Sequence, residues 1–156
     1  MQTVFINSPL GITKISGDEK GVGLISVLSE GELSTTIPNQ LQEAVIQLQE
    51  YFEGKRQDFT FKLNPKGTDF QQKVWQELRN IPFGKTISYL DLSKKLGDVK
   101  AIRAAASANG KNPLWIVVPC HRVIGSDGSL TGYAGGLWRK KWLLEHETPS
   151  NQQSLF

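Results

Sequence analysis

The chain has 156 residues, 38% of them apolar and 21% charged, and carries a net charge of +3. This is ordinary globular composition, sufficient for one domain or one domain with a small partner subdomain, and no apolar run reaches the length of a membrane span. A single cysteine excludes an internal disulfide, and one cysteine with two histidines excludes an ordinary structural zinc site. The start, MQTVFINSPLG, lacks the basic beginning and long apolar run of a secretory signal, so the expectation is a soluble cytoplasmic protein. Charge is uneven. Residues 1–66 hold 6 Lys/Arg against 8 Asp/Glu, and residues 67–156 hold 12 against 7, which makes the second part the candidate surface for a polyanion.

In chain order, TVFIN, GITKIS and GVGLISVL read as short strands broken by the turn segments SPLG and SGDEKG. NQLQEAVIQLQEYFEG follows as a helix with Leu41, Val45, Leu48 and Phe52 on one face and Gly54 as its C-terminal cap. DFTFKL (58–63) is a candidate further strand, and LNPKGT (63–68) a linker. Thr68 and Gln71 have capping-box spacing ahead of an apolar stripe, Phe70, Val74 and Leu78, which Pro82 ends. Residues 87–110 read as helix, tight turn at Gly97 and helix, the outline of a helix-turn-helix, with Asp98 able to cap the second helix. WIVV (115–118) reads as a short buried strand or extended run. GLWRKKWLLEHE (136–147) reads as a last helix with Leu137, Lys141 and Leu144 at helical spacing. The expected domains are a small α/β subdomain over 1–66, with a short antiparallel sheet plus a helix, and a mainly α domain with the helix-turn-helix over 67–148. A tail covers 149–156.

The second helix of the pair carries Ala101, Ala104, Ala105, Ala106 and Ala108 around Arg103, so its axis can come close to whatever it faces. Close packing on another helix and approach to a phosphate backbone both fit. The flanking Lys94, Lys95, Lys100 and Lys111 favour the backbone.

Cys120 lies in IVVPCHRVIG. A lone free cysteine is most often a small buried hydrophobe. Here Pro119 fixes the backbone ahead of it, and His121 and Arg122 are cationic neighbours that favour thiolate. Adjacent strand residues point to opposite faces, so cooperation between Cys120 and His121 requires the apolar run to end and turn at Pro119. A histidine acting as base needs a group to orient it, and Glu145 and Glu147 are the candidates near the end of the chain.

The segment PCHRV (119–123) resembles the active-site signature of the 6-O-alkylguanine-DNA alkyltransferases, also called methylated-DNA–protein-cysteine methyltransferases. ISYLDLSKKLG and KAIRAAASANGKNP resemble that family's helix-turn-helix with its recognition helix and Asn-Pro turn, and TGYAGGLWRKKWLLEHE resembles its substrate loop and last helix. The match runs through residues 69–147. The N-terminal part resembles the family's small α/β subdomain more loosely, through SPLG, short strands and one helix.

The resemblance implies a single-use DNA repair protein, with no cofactor or metal, that flips 6-O-alkylguanine out of double-stranded DNA and moves the alkyl group irreversibly to a cysteine. Thymine alkylated at O4 is the second candidate substrate. Cys120 matches the alkyl acceptor, and His121 the base that activates it through a bridging water. Glu147, rather than Glu145, matches the carboxylate that orients the histidine. Asn112 matches the residue that holds the active-site turn. Tyr89 matches the residue that promotes nucleotide rotation and helps protonate the leaving guanine. Arg103 matches the side chain that fills the gap in the duplex. Tyr133, with Gly132 and Ala134, matches the loop over the flipped base. Lys100, Ala104, Ala105 and Arg122 fall among the expected DNA and substrate contacts, with Trp115 expected to wall the pocket. The implied DNA contact is the minor groove, with little sequence specificity.

The chain departs from many relatives at Ala134, where a serine is common, at the bulky Trp115, and in lacking the N-terminal zinc ligands some relatives have. A cysteine hydrolase and a thiol peroxidase leave the helix-turn-helix unexplained. The alkyltransferase-like damage binders replace the cysteine that is present here. Gln152, Leu155 and Phe156 in the tail resemble the short peptide by which bacterial repair proteins dock on the sliding clamp.

Overall fold

The computed structural model describes residues 1–130 and 132–148. They divide into two compact units: residues 1–66 with 113–115, and residues 67–112 with those from 116 onward.

In the first unit β1 (Gln2–Ser8), β2 (Gly11–Asp18) and β3 (Gly21–Leu28) form an antiparallel meander in that order. The pairs Val4↔Ile15 and Ile15↔Ile25 stack fully buried side chains along its inner face. A 3-10 turn (Asn39–Leu41) and α1 (Gln42–Phe52) pack on the sheet through Leu41, Val45, Leu48 and Tyr51. The fourth inward residue is Tyr51, not the expected Phe52. Gly54 sits past the helix end at φ +78.

DFTFKL is not a strand. Only Leu63 makes a bridge, to Val22, with Val22 donating to the Lys62 carbonyl at 2.9 Å and Asn64 to the Val22 carbonyl at 2.7 Å. The sequence places residues 113–115 in the second domain, but they pack with the first unit. Ile25 donates to Pro113 and Trp115 donates to Ile25, at 2.8 and 3.1 Å. Both segments pair with β3, which otherwise would offer an open edge.

In the second unit α2 (Asp69–Leu78) starts with the Thr68–Gln71 capping box. It buries Val74, Trp75 and Leu78, while Phe70 is exposed, so the apolar face is turned from the expected one. The helix stops ahead of Pro82, at Leu78. Ile87 and Ser88, expected as helix, form β4 (Ile87–Ser88), which pairs in parallel with β5 (Val123–Ile124). Ser88 caps α3 (Tyr89–Lys95) in a second capping box, with Asp91. Gly97, at φ +86, makes the turn that a residue with a Cβ adopts only with strain. Asp98 caps a 3-10 turn (Val99–Ala101) leading into α4 (Ile102–Gly110). Trp75 donates its indole N–H to the Ala108 carbonyl at 2.9 Å, tying α2 to α4. The last described element of the unit is α5 (Leu137–Glu147). No described helix is long and apolar enough to cross a membrane.

Candidate active site

WIVV is a set of turns, not a strand. Ile116 is buried at φ +75, a left-handed conformation that a β-branched residue adopts only under strain. Pro119 then sits at φ −82, ψ 66, and the Cys120 amide donates back to the Val118 carbonyl at 2.8 Å. This is an inverse γ-turn, whose φ the proline ring already holds. Asn112 Nδ2 donates to the same Val118 carbonyl at 2.7 Å. Cys120, His121 and Arg122 continue as one 3-10 turn, so the neighbouring side chains are no longer bound to opposite faces of a strand.

All three side chains are buried. His121 Nε2 lies 2.8 Å from Glu147 Oε2. Arg122 grips the same carboxylate with Nε to Oε1 at 2.7 Å and Nη2 to Oε2 at 3.0 Å, and gives Nη1 to the Ile81 carbonyl at 2.7 Å. Burial would raise the Glu147 pKa. The His121 hydrogen bond, with the ring's charge when it is protonated, and then Arg122 hold it well below the usual carboxylate range instead. An ionised carboxylate only accepts, so Nε2–H of His121 is the donor, and in the neutral ring Nδ1 carries the lone pair. Nδ1 is buried and has no hydrogen-bond partner among the described residues. Glu145 instead lies 3.9 Å from Lys141 on the exposed side of α5.

The thiol is not a resting thiolate. Burial pushes Cys120 up to about 11, against the opposing influence of an Asn112 hydrogen bond and the Lys140 charge. His121 and Arg122 do not activate it as charged neighbours, because both are turned to Glu147. A reaction at this sulfur therefore needs proton removal, and an imidazole nitrogen without a partner is the group suited to take it.

Lys140, which the sequence reading did not single out, also lies at this site. It is fully buried, donates to the Val123 carbonyl at 2.7 Å, and lies 6.0 Å from the half-buried Tyr89 ring. Burial lowers its pKa to about 8. Asn109, also missed, reaches the Cys120 carbonyl at 3.5 Å from α4. Its place in SANGKNP gives no sign of this, whereas Lys140 stands one turn from Leu143 and Leu144, the buried pair of α5.

Arg103, Ala104 and Lys100 are exposed on the helix-turn-helix, as are Lys94, Lys95 and Lys111. Two of the expected contacts are buried. Ala105 is fully buried, and with Ala108 it serves helix packing. Arg122 is buried and its guanidinium is paired with Glu147. Trp115 packs with the first unit through its bond to Ile25. Gly132 and Ala134 are exposed on the loop before α5, and burial raises the Tyr133 phenol well above its ordinary value, with the Cys120 charge the next cause. Gln152, Leu155 and Phe156 lie outside the described residues.

Residues 69–149 match the family model for the DNA-binding domain of 6-O-methylguanine DNA methyltransferase, and residues 1–65 match the model for the ribonuclease-like domain of the same proteins. The chain belongs to the 6-O-methylguanine DNA methyltransferase family. Among its relatives, the methylated-DNA–protein-cysteine methyltransferase of Methanosarcina barkeri is 45% identical over 91% of this chain and 94% of its own length. The constitutive enzyme of that name from Bacillus subtilis is 57% identical over 74% of this chain and 70% of its own. The crystal structure of Mycobacterium tuberculosis OGT in complex with DNA superposes with a TM-score of 0.87 at 40% identity, covering 98% of both chains. The small antiparallel sheet with a helix, followed by a mainly helical part with a helix-turn-helix, is the expected fold class and matches those structures. As a 6-O-methylguanine DNA methyltransferase family member, the chain keeps its lone thiol at the end of the Pro119 turn, beside the His121–Glu147–Arg122 network.

Proposed function

We propose that this protein repairs duplex DNA by transferring the alkyl group of 6-O-alkylguanine to Cys120, once per chain. The observation that carries the reading is the lone buried thiol next to a histidine whose far nitrogen is committed to an ionised Glu147. Such a site binds no second thiol and supplies a base, which suits consumption of the cysteine.

A base inside a duplex cannot offer its O6 substituent to a buried sulfur, so the nucleotide has to leave the stack. Arg103, exposed on α4, is suited to fill the gap from the minor groove, and the surrounding lysines neutralise phosphates without reading sequence. His121 takes the thiol proton at Nδ1 across the bridging water that the family resemblance implies, and Glu147 stabilises the imidazolium. The sulfur attacks the alkyl carbon in line with the departing oxygen. The S–C bond forms, the C–O bond breaks, and Tyr89 supplies a proton to the leaving guanine. In net terms one alkyl group passes from oxygen to sulfur and, once the imidazolium has released its proton and the tyrosinate has regained one, one proton passes from sulfur to guanine. The thioether product has no leaving-group chemistry to regenerate the thiol. Alkylated thymine fits the same scheme at O4. The tail residues Gln152, Leu155 and Phe156 are proposed as a docking peptide for a sliding clamp.

The test is the intact mass of the protein after incubation with excess duplex carrying one 6-O-methylguanine, beside a Cys120→Ser control. Gain of a single methyl group, on the unmodified sequence alone, supports the reading. Continued turnover, or binding with no gain in mass, overturns it.

A further inference from the structure

The first turn of α5 carries a guanidinium where the helix dipole disfavours positive charge. Arg139 is only 8% exposed. Its Nη1 donates to the Gly135 carbonyl at 2.9 Å, and its Cζ lies 4.6 Å from the centroid of the Trp138 ring. Trp138 is 55% exposed. The edge of its ring lies beside Gly136, where an added Cβ would stand 3.6 Å from Trp138 Cδ1. Gly136 itself, at φ +90, donates its amide to the Tyr133 carbonyl at 2.9 Å. Two adjacent side chains thus hold the carbonyl of one glycine and flank the next, at the closing end of the turn that carries Tyr133. Its hydroxyl oxygen is buried, and Cys120 and Arg139 shift the phenol's pKa in opposite directions.

We propose that Trp138 and Arg139 act as a latch on the Tyr133–Gly136 turn and thereby determine which adduct sizes reach Cys120. This rests on the alkyl-transfer reading above. The flat guanidinium stacks on the indole and keeps its N–H directed at the Gly135 carbonyl, so the turn holds one position. A fixed turn favours the small methyl adduct by keeping it aligned with the sulfur, and it resists the displacement that a bulky adduct requires. Arg139 is a positioning residue: it acts through the turn and not on the reacting atoms.

The experiment measures single-turnover transfer from two otherwise identical duplexes, one with 6-O-methylguanine and one with 6-O-benzylguanine, by intact mass. The wild type is compared with Arg139→Ala, Arg139→Lys and Trp138→Ala. The readout is the benzyl-to-methyl rate ratio, which loss of folded protein does not move because both rates fall together. The ratio should rise about fivefold or more in Arg139→Ala and Trp138→Ala. Arg139→Lys, which keeps a donor for Gly135, should stay nearer the wild type. Should Arg139→Ala not fold, the exposed Trp138→Ala decides alone. An unchanged ratio in the folded alanine variants overturns the latch, while failure of the wild type to accept methyl overturns the alkyl-transfer reading instead.

Discussion

Arg122 grips Glu147 with two nitrogens, at 2.7 and 3.0 Å, while the same carboxylate takes the His121 N–H. A single anion therefore orients the base and neutralises a buried guanidinium. Glu147→Gln keeps the shape and removes the charge, leaving Arg122 buried without its counter-ion. The expected cost is about 3–5 kcal/mol of stability, read from denaturant unfolding. Alkyl transfer should fall further than the remaining folded fraction explains. Because Glu147 is held below the carboxylate range, its contribution is full above that range and is lost as pH falls through it toward the folded value. The variant should lack this acid-side loss, and an equal loss in both proteins would sink the assignment.

A second pH signature lies on the alkaline side. Lys140 falls from 10.5 to about 8 on folding, so between those values the unfolded chain holds the extra proton and stability rises with pH. Cys120 moves the other way, from 9.0 to about 11, so over that interval its contribution lowers stability as pH rises. The sum is a rise that starts near pH 8 and levels off once the thiol opposes it. Urea midpoints across this range should show that shape. Lys140→Met should abolish the rise, and Cys120→Ala should extend it. Identical profiles for wild type and Lys140→Met would contradict the buried ammonium.

Arg103→Ala should slow repair of a duplex by about thirtyfold, the equivalent of losing ~2 kcal/mol of compensation for the extruded base. The free 6-O-alkylguanine base needs no extrusion and should react at the unaltered rate. Equal slowing on both would move Arg103 from the duplex to the chemistry.

Methylation places new volume on a side chain that is 5% exposed, inside a turn fixed by Asn112 and Pro119. The methylated protein should be less stable by about 1–3 kcal/mol. A coincident thermal melt before and after alkylation would show that the pocket has room for the product.

Removal of residues 152–156 should leave alkyl transfer at its original rate and eliminate retention on an immobilised sliding clamp. Equal retention of intact and shortened protein would end the docking proposal.

Local chemistry was readable in the sequence wherever it is decided by neighbours along the chain. The Thr68–Gln71 capping box, the Gly97 turn and the three N-terminal strands are of this kind. Burial faces were less legible. The stripe Leu137, Lys141, Leu144 assumes that apolar residues mark the inner face of α5, whereas the buried side holds Arg139, Lys140 and Glu147 beside Leu143 and Leu144. Those charges tolerate burial only because Gly135, Val123, His121 and Arg122 provide partners from distant positions, which no local pattern announces. Arg122 was illegible for the same reason: as a cation two residues after Cys120 it was expected to favour thiolate, and the fold pairs it with Glu147 instead.

The ladder between β4 and β5 has two rungs, Ile87↔Val123 and Ser88↔Ile124. Tyr89 follows one strand directly, and Cys120 precedes the other by the width of a single 3-10 turn. The spacing of phenol and thiol is thus counted out in residues. Inserting one residue between Cys120 and Val123 would slip the register by about 3.3 Å and turn the following side chain to the opposite face. The exposed turn over residues 126–129 carries no such count. Length variation should therefore be absent on the Cys120 side of Val123 and tolerated just beyond Ile124, so that the gauge of the site is kept by chain length as well as by residue identity.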